Sequence, residues 1–343
     1  MKFGPRPLDQ AAGKILAHNL ADEHGRRLLR KGHRLSEQDV DRIRALGRAS
    51  VYLAELEPDD LSEDEAAVRL ATAVAGDGVR LTGRSTGRTN LLAAQLGLLT
   101  VDAGRLAEVN FVEGVTLASL RDATVVPPGQ LVASVKIIPY GLARAIVEQF
   151  EVEAMARGPI LQLLPLKSSQ VALVLQGSTH VRQQLMDDFV PPLRSRIEAW
   201  GSHWLPARYV AFELGGEEER LAQALREVID SGADLILIAG ETAIVDSHDL
   251  IPQSIRLAGG RVECFGAPVD PGNLLMLAYL DGVPVVGVPG CARSRKENVV
   301  DWLIPRLLAG QRLTRADVVQ MGHGGLLAEI HERPMPRRAA GDL

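Results

Sequence analysis

The stretch 234-DLILIAGETAIVDSHDLIPQSIRLAGGRVECFGAPVDPGNLLMLAYLDGVPVVGVPGCARSR-295 decides the fold. Leu235 to Gly240 reads as a buried strand, followed by a polar loop carrying Glu241, Thr242, Asp246, His248 and Asp249. A helix from Leu250 to Ala258 comes next, then a strand from Val262 to Phe265. The turn Asp270-Pro271-Gly272-Asn273 leads into apolar runs at Leu274–Tyr279 and Val283–Val288, and the turn Pro289-Gly290-Cys291-Ala292-Arg293-Ser294-Arg295 closes the stretch. Continuous apolar runs that alternate with helical segments indicate a parallel sheet covered on both faces. In such sheets ligands collect beyond the carboxyl ends of the strands, where these loops belong.

Working outward, Val171 to Gln176 reads as a further strand ending at Gly177-Ser178-Thr179, followed by a helix that is interrupted or restarted at Pro191-Pro192, where two N–H groups are lost. Tyr209–Phe212 is a strand, Glu217–Ile229 a helix, and Asn298–Leu308 the last helix. Right-handed crossovers then give a three-layer α/β/α domain with a mostly parallel sheet over residues 166–312.

Upstream lie two smaller mixed α+β modules. In residues 1–58, 7-PLDQAAGKILAHNL-20 reads as a short helix passing into an extended segment. Ser36 with Asp39 three residues on marks a helix start, and Ser50 to Leu53 a closing strand. In residues 59–165 an acidic run introduces a helix from Ala66 to Ala75, whose first turn suits negative charge. Leu91–Leu96 and Ala143–Phe150 read as helices and Val132–Ile138 as a strand. Residues 313–343 read as a tail, basic and Pro-rich after Glu332 and expected to be mobile.

The chain has 343 residues, 46% hydrophobic and 24% charged, enough for sizeable cores in two or three domains. A net charge of −5 argues against nucleic acid, whose binding needs clustered Lys and Arg. With no apolar run long enough to span a bilayer and no signal-like start, the expectation is a cytoplasmic protein without membrane contact. Cys264 and Cys291 do not form a CxxC pair, so neither a cysteine metal site nor a disulfide is expected.

Several segments together carry a resemblance. Ser178-Thr179, 235-LILIAGETAIVDSHDLIP-252, 269-VDPGN-273 and 285-VVGVPGCARS-294 occur in the order found in the molybdopterin-binding domain shared by molybdopterin adenylyltransferases and molybdopterin molybdotransferases. The opening, with 11-AAGKILAHNL-20 and 31-KGHRLSEQDVDRIRALG-47, is similar to the start of a molybdotransferase. The segments 106-LAEVNFVEGVTLASL-120 and 130-QLVASVKIIPYG-141 resemble molybdopterin-binding proteins that are sometimes fused to molybdenum-cofactor nucleotidyltransferases.

The resemblance implies molybdopterin as ligand, in plain, adenylylated or cytidylylated form, with Mg²⁺ as cofactor and molybdate as substrate. It also implies a molybdenum-cofactor nucleotidyltransferase or molybdoenzyme as partner, and a homo-oligomer, with a dimer favoured. Ser178, Thr179, Gly240, Glu241, Thr242, Pro271, Gly272 and Asn273 would contact the pterin or nucleotide, while Pro289, Gly290, Arg293 and Ser294 would take the phosphate. Asp246 and Asp249 would act in catalysis, holding Mg²⁺ or orienting molybdate. A Mg²⁺ site needs one or two carboxylates beside water and phosphate; the plainer reading is that these acids cap the helix at Leu250.

Arg293, Ser294, Arg295 and Lys296 would sit at the N-terminus of the final helix, an anion site unless they are simply a solvated basic stretch. The turn at Asp270–Asn273 lines the cleft or serves only as a connector. Cys291 is either a thiol activated beside Arg293 or a small buried hydrophobe. The loop after Ala239 holds one glycine where the transferases are rich in Gly and Ser or Thr, and Pro289-Gly290 is followed by Cys-Ala-Arg instead of Asn-Pro. Two functions follow, a molybdotransferase-like enzyme or a non-catalytic carrier of the cofactor. A third, a serine hydrolase, rests on 83-GRSTG-87, a literal GxSxG whose nucleophile elbow would require a buried strand before it and a helix after it.

Overall fold

The structure, a computed structural model, describes residues 1–212 and 215–327, with the side chain of Arg84 set aside. It divides into two compact units, Met1–Pro165 and Leu166–Leu343.

The second unit is built on one seven-stranded sheet. Its elements are β1 (Gln170–Gly177), α1 (Arg182–Ala199), β2 (His203–Trp204), β3 (Arg208–Ala211), α2 (Glu217–Asp230), β4 (Leu235–Gly240) and α3 (Leu250–Leu257). Then follow β5 (Arg261–Phe265), β6 (Met276–Leu280), β7 (Val283–Gly287), α4 (Val299–Leu308) and α5 (Arg315–Gln320). The sheet runs β2-β1-β4-β7-β6-β5, with β3 also on the outer edge of β1. Neighbours are parallel from β3 to β7, and β6 alone is reversed against β7 and β5. The expected three-layer, mostly parallel α/β/α architecture is therefore observed.

Successive side chains of a strand point to opposite faces, so a strand that is apolar throughout needs cover on both sides. Val171, Leu173 and Leu175 of β1 pack with Leu237 of β4 against α1 and α4, through Phe189, Leu193, Val300 and Leu303. Ala172, Val174, Ile236 and Ile238 face α2 and α3, through Leu221, Leu225, Ile251 and Ile255.

Two expectations in this unit are corrected. The helix is not broken at Pro191-Pro192: α1 runs through both prolines, because Phe189, Pro192, Leu193 and Ile197 are buried along one face and that burial outweighs the lost backbone bonds. The direction of β6 and β7 is also fixed: they form a hairpin, whose two connecting residues, Asp281 and Gly282, both have positive φ (52° and 86°). Second, residues 313–327 are not a tail. Leu313, Val318 and Met321 are buried in the same core as α4, and Leu326 bridges to Asp270. The basic stretch after Glu332 lies outside the described residues.

In the first unit a three-stranded antiparallel sheet, Lys2–Pro7, Ser50–Glu55 and Ile15–Leu16, carries the helix Glu37–Ala45, which begins in a capping box between Ser36 and Asp39. The helix expected near residues 7–20 is a single 3₁₀ turn, Leu8–Gln10. A four-stranded antiparallel sheet follows, in the order Val115–Ser119, Leu131–Ile137, Arg88–Ala93, Val79–Ser85, packed on the helix Glu63–Val74. Residues 91–96 were expected as helix, but Arg88–Ala93 is a strand. It alternates exposed or partly exposed with buried positions and pairs with Val79–Ser85 across the turn Thr86-Gly87. Ser85 is thus the last residue of an antiparallel hairpin strand, with a second strand after it where a nucleophile elbow requires a helix. The serine-hydrolase reading ends there.

Candidate ligand cleft

Parallel strands end on the same edge of a sheet, and β1, β4 and β7 are consecutive neighbours. Their carboxyl ends therefore put the loops 178–181, 241–249 and 288–298 side by side. A cleft of about 220 Å³ opens there. It is lined by Gly240, Glu241, Thr242 and Ile244 from the end of β4 and its loop, by Val288, Pro289, Gly290 and Arg293 after β7, and by Phe189, Ile251 and Leu274.

Both charged groups of the cleft are engaged by partners within the protein. The Glu241 carboxylate accepts the backbone N–H of Ser178 at 2.7 Å, and the Tyr209 hydroxyl donates to the Ser178 carbonyl at 2.6 Å. These two bonds tie the ends of β1, β3 and β4 together. The Arg293 guanidinium donates to the Gly290 carbonyl at 3.0 Å, pairs with Asp188 at 3.3 Å and stacks over the Phe189 ring at 5.4 Å. An anion in the cleft would compete with Asp188, a half-exposed partner and thus a weak one.

Of the residues singled out from sequence, Gly240, Glu241, Thr242, Pro289, Gly290 and Arg293 come together on this one cavity. Ser178 reaches it only through its bond to Glu241, and Thr179 opens the short 3₁₀ turn that leads into α1. Pro271, Gly272 and Asn273 are not part of the lining. The Pro271 carbonyl accepts from the Val299 N–H at 3.2 Å, and a Cβ on Gly272 would strike the Val299 side chain, so this turn seats the start of α4. The Asn273 side chain is exposed, and its carbonyl accepts from the Ala267 N–H.

Asp246 and Asp249 also lie off the cleft. Asp249 Oδ2 accepts the N–H groups of Val245 (2.6 Å) and Asp246 (2.8 Å), folding back on its own loop, and makes no cap bond to α3. Asp246 Oδ1 accepts the backbone N–H of His248 at 2.7 Å and lies 2.8 Å from its ring Nδ1. The backbone N–H, then the ring, hold the Asp246 carboxyl below its ordinary pKa. Among the described residues no three His, Cys, Asp or Glu side chains gather where they could hold a metal. One oxygen of each acid is taken up within its own loop and neither side chain lines the cavity, so the two do not make a Mg²⁺ site facing the cleft.

Ser294 is likewise not at the N-terminus of a helix. It ends the 3₁₀ turn Gly290–Arg293, and α4 starts only at Val299, where Asn298 and Asp301 form a capping box. The Ser294 hydroxyl accepts the Lys296 N–H, and its carbonyl takes a bond from Arg196.

Sequence reading missed two residues that shape the site. Arg196, almost fully buried, pairs with Asp301 at 2.7 Å and donates to the carbonyls of Ser294 (2.8 Å) and Lys296 (2.9 Å), pinning the loop after β7. Nothing in its helical context distinguishes it from a surface arginine. Gln176 is 2% exposed, yet its carboxamide oxygen accepts no hydrogen bond among the described residues. Such an orphan costs roughly 1–3 kcal/mol. Its signal was visible, a polar residue ending an otherwise apolar strand, 171-VALVLQG-177.

Comparison with known proteins adds the following. A family model described as a domain of unknown function, DUF8806, matches residues 5–55. No curated protein matches the chain. Among solved structures, the molybdopterin biosynthesis MoeA protein from Pyrococcus horikosii is 13% identical, over 90% of this chain and 75% of that one, at a TM-score of 0.30. A molybdenum cofactor biosynthesis protein from Pyrococcus furiosus is 12% identical, over 90% of this chain and 63% of that one, at a TM-score of 0.25. A NadC deletion mutant follows at 15% identity and a TM-score of 0.18, covering 62% of this chain and 85% of that one. Superpositions this loose carry no weight for fold or function. Among the described residues no helix is long and apolar enough to cross a membrane.

Proposed function

We propose that the second unit binds molybdopterin or a nucleotide form of it, with the phosphate toward Arg293, and that the chain acts as a molybdenum-cofactor binding protein. The observation that carries this reading is the convergence of two segments. Two of the four segments that carry the resemblance to molybdopterin-binding domains, 235–252 and 285–294, both contribute to a single cavity, with Glu241 from one and Arg293 from the other. A site for a phosphorylated heterocycle needs a concavity with a few convergent polar groups and a cation for the phosphate. The cleft is smaller than the roughly 300 Å³ at which ligand pockets usually begin, so it suits one ring-sized part of the ligand while the rest stays outside.

Binding without turnover is favoured over molybdotransferase chemistry by Asp246 and Asp249. The two acids assigned to Mg²⁺ and molybdate lie off the cavity and are engaged by their own loop. The test is mass spectrometry of small molecules copurifying with the full chain. A pterin bound to the unmodified protein and to Asp246→Ala, but absent from Arg293→Ala, supports the reading. A chain that carries no pterin when expressed in cells that make the cofactor overturns it. If the purified protein instead converts adenylylated molybdopterin in the presence of molybdate and Mg²⁺, the enzyme reading replaces the carrier.

A further inference from the structure

We propose that Asp188 sets the charge specificity of the cleft, as a positioning residue that acts through Arg293. It makes the site prefer a singly charged phosphate, such as a phosphodiester or one phosphate of a diphosphate bridge, over the dianion of a phosphate monoester. This rests on the proposed function and names which charge form of the ligand the cleft takes.

Among the described residues Glu241 and Arg293 are the charged ones that line the cavity. Asp188, next to Phe189 on α1, places its Oδ2 3.3 Å from Arg293 Nη1. The Nε bond to the Gly290 carbonyl and the stacking over Phe189 fix the guanidinium further. Arg293 Nη2 makes no hydrogen bond among the described residues, so an anion in the cleft can dock on that edge while the pair with Asp188 persists. Arg196, the buried cation of the same region, is taken up by Asp301 and two carbonyls and adds no charge to the cavity. The anion end thus sets one guanidinium against two carboxylates.

Arg293 can compensate one negative charge, and Asp188 already draws on it. A second charge on the bound phosphate therefore meets a carboxylate with no further cation to offset it. Like unit charges roughly 6 Å apart change affinity by about threefold in a water-like dielectric, and by more where water is excluded. A phosphate monoester carries close to two charges at neutral pH, its second ionisation lying near about pH 6, whereas a diester carries one.

The full chain is titrated at about pH 7.5, above that second ionisation, with the fluorescent phosphate monoester of 6-hydroxymethylpterin and with its methyl diester. The unmodified protein should bind the diester at least ~threefold more tightly. The preference should shrink in about 0.5 M salt, which screens charge and leaves the fit of a methyl group unaffected. Asp188→Asn, at a half-exposed position, should bind the monoester more tightly than the unmodified protein does and lose the preference. Asp188→Glu should retain it.

A monoester bound as tightly as the diester by the unmodified protein overturns the inference, and so does a preference that survives in Asp188→Asn. In either case loss of both probes in Arg293→Ala leaves the cleft reading standing without the charge selection. Failure of the unmodified protein to bind either probe removes both.

Discussion

Asp39 accepts the Ser36 hydroxyl at 2.6 Å, the His33 ring N–H at 2.8 Å and the Ser36 backbone N–H at 3.0 Å, and these bonds, in that order, hold its carboxyl far below the ordinary range. A carboxylate with a depressed folded-state pKa stabilises fully above its unfolded value, near 3.9, and that stability is lost as pH falls toward the folded value. Asp39→Asn should therefore cost about 1 kcal/mol at neutral pH, the worth of a cap, with the difference from wild type closing below about pH 4. Hydrogen exchange of the helix Glu37–Ala45 reads this locally. This cap was legible, because Ser36 and Asp39 define it by spacing alone. The acids of the central loop were not. Asp246 and Asp249 have the composition of a metal site, but short acidic side chains bond most readily to backbone N–H groups two to four residues away, and both do so here. Sequence spacing does not record which way such a side chain turns.

At the scale of elements, the apolar runs identified the strands of the second unit, because a strand buried on both faces has no polar alternation to confuse with a surface helix. The reversed β6 was overlooked although Asp281-Gly282 between two apolar runs is a strong hairpin signal. Residues 91–96 misled for a related reason. In Arg88-Thr89-Asn90-Leu91-Leu92-Ala93 the alternation is blurred by adjacent leucines, of which Leu91 is buried and Leu92 only partly so. The loop after β7 depends on a contact 100 residues away in sequence, the bond from Arg196 to the Lys296 carbonyl. Such tertiary pairs leave no local trace. Arg196→Met should cost about 3 kcal/mol, because Asp301 loses its cation and the carbonyls of Ser294 and Lys296 each lose a donor, although Asn298 still bonds to Asp301 and Lys296. It should also weaken binding in the cleft by releasing the loop that carries Arg293. Trp200, Trp204 and Trp302 all lie in the second unit, so tryptophan fluorescence in urea follows that unit specifically.

At the scale of the whole molecule, the separate cores of the two units divide the account. The first unit is a set of small antiparallel sheets with helices, and its residues 5–55 match a domain whose function is unknown. The second unit carries the cleft, and the central claim concerns it alone: the loops after β4 and β7 form one ligand site in which Arg293 takes the anion, and Asp246 and Asp249 take no part. The most direct test is anaerobic calorimetric titration of molybdopterin into the full chain, into Arg293→Ala, and into the double variant Asp246→Ala, Asp249→Ala. The account predicts binding by the wild type and the double variant within about twofold of each other, and at least ~tenfold weaker binding by Arg293→Ala, the loss of one charge-assisted contact. Loss of binding in the double variant with Arg293→Ala unchanged would contradict it.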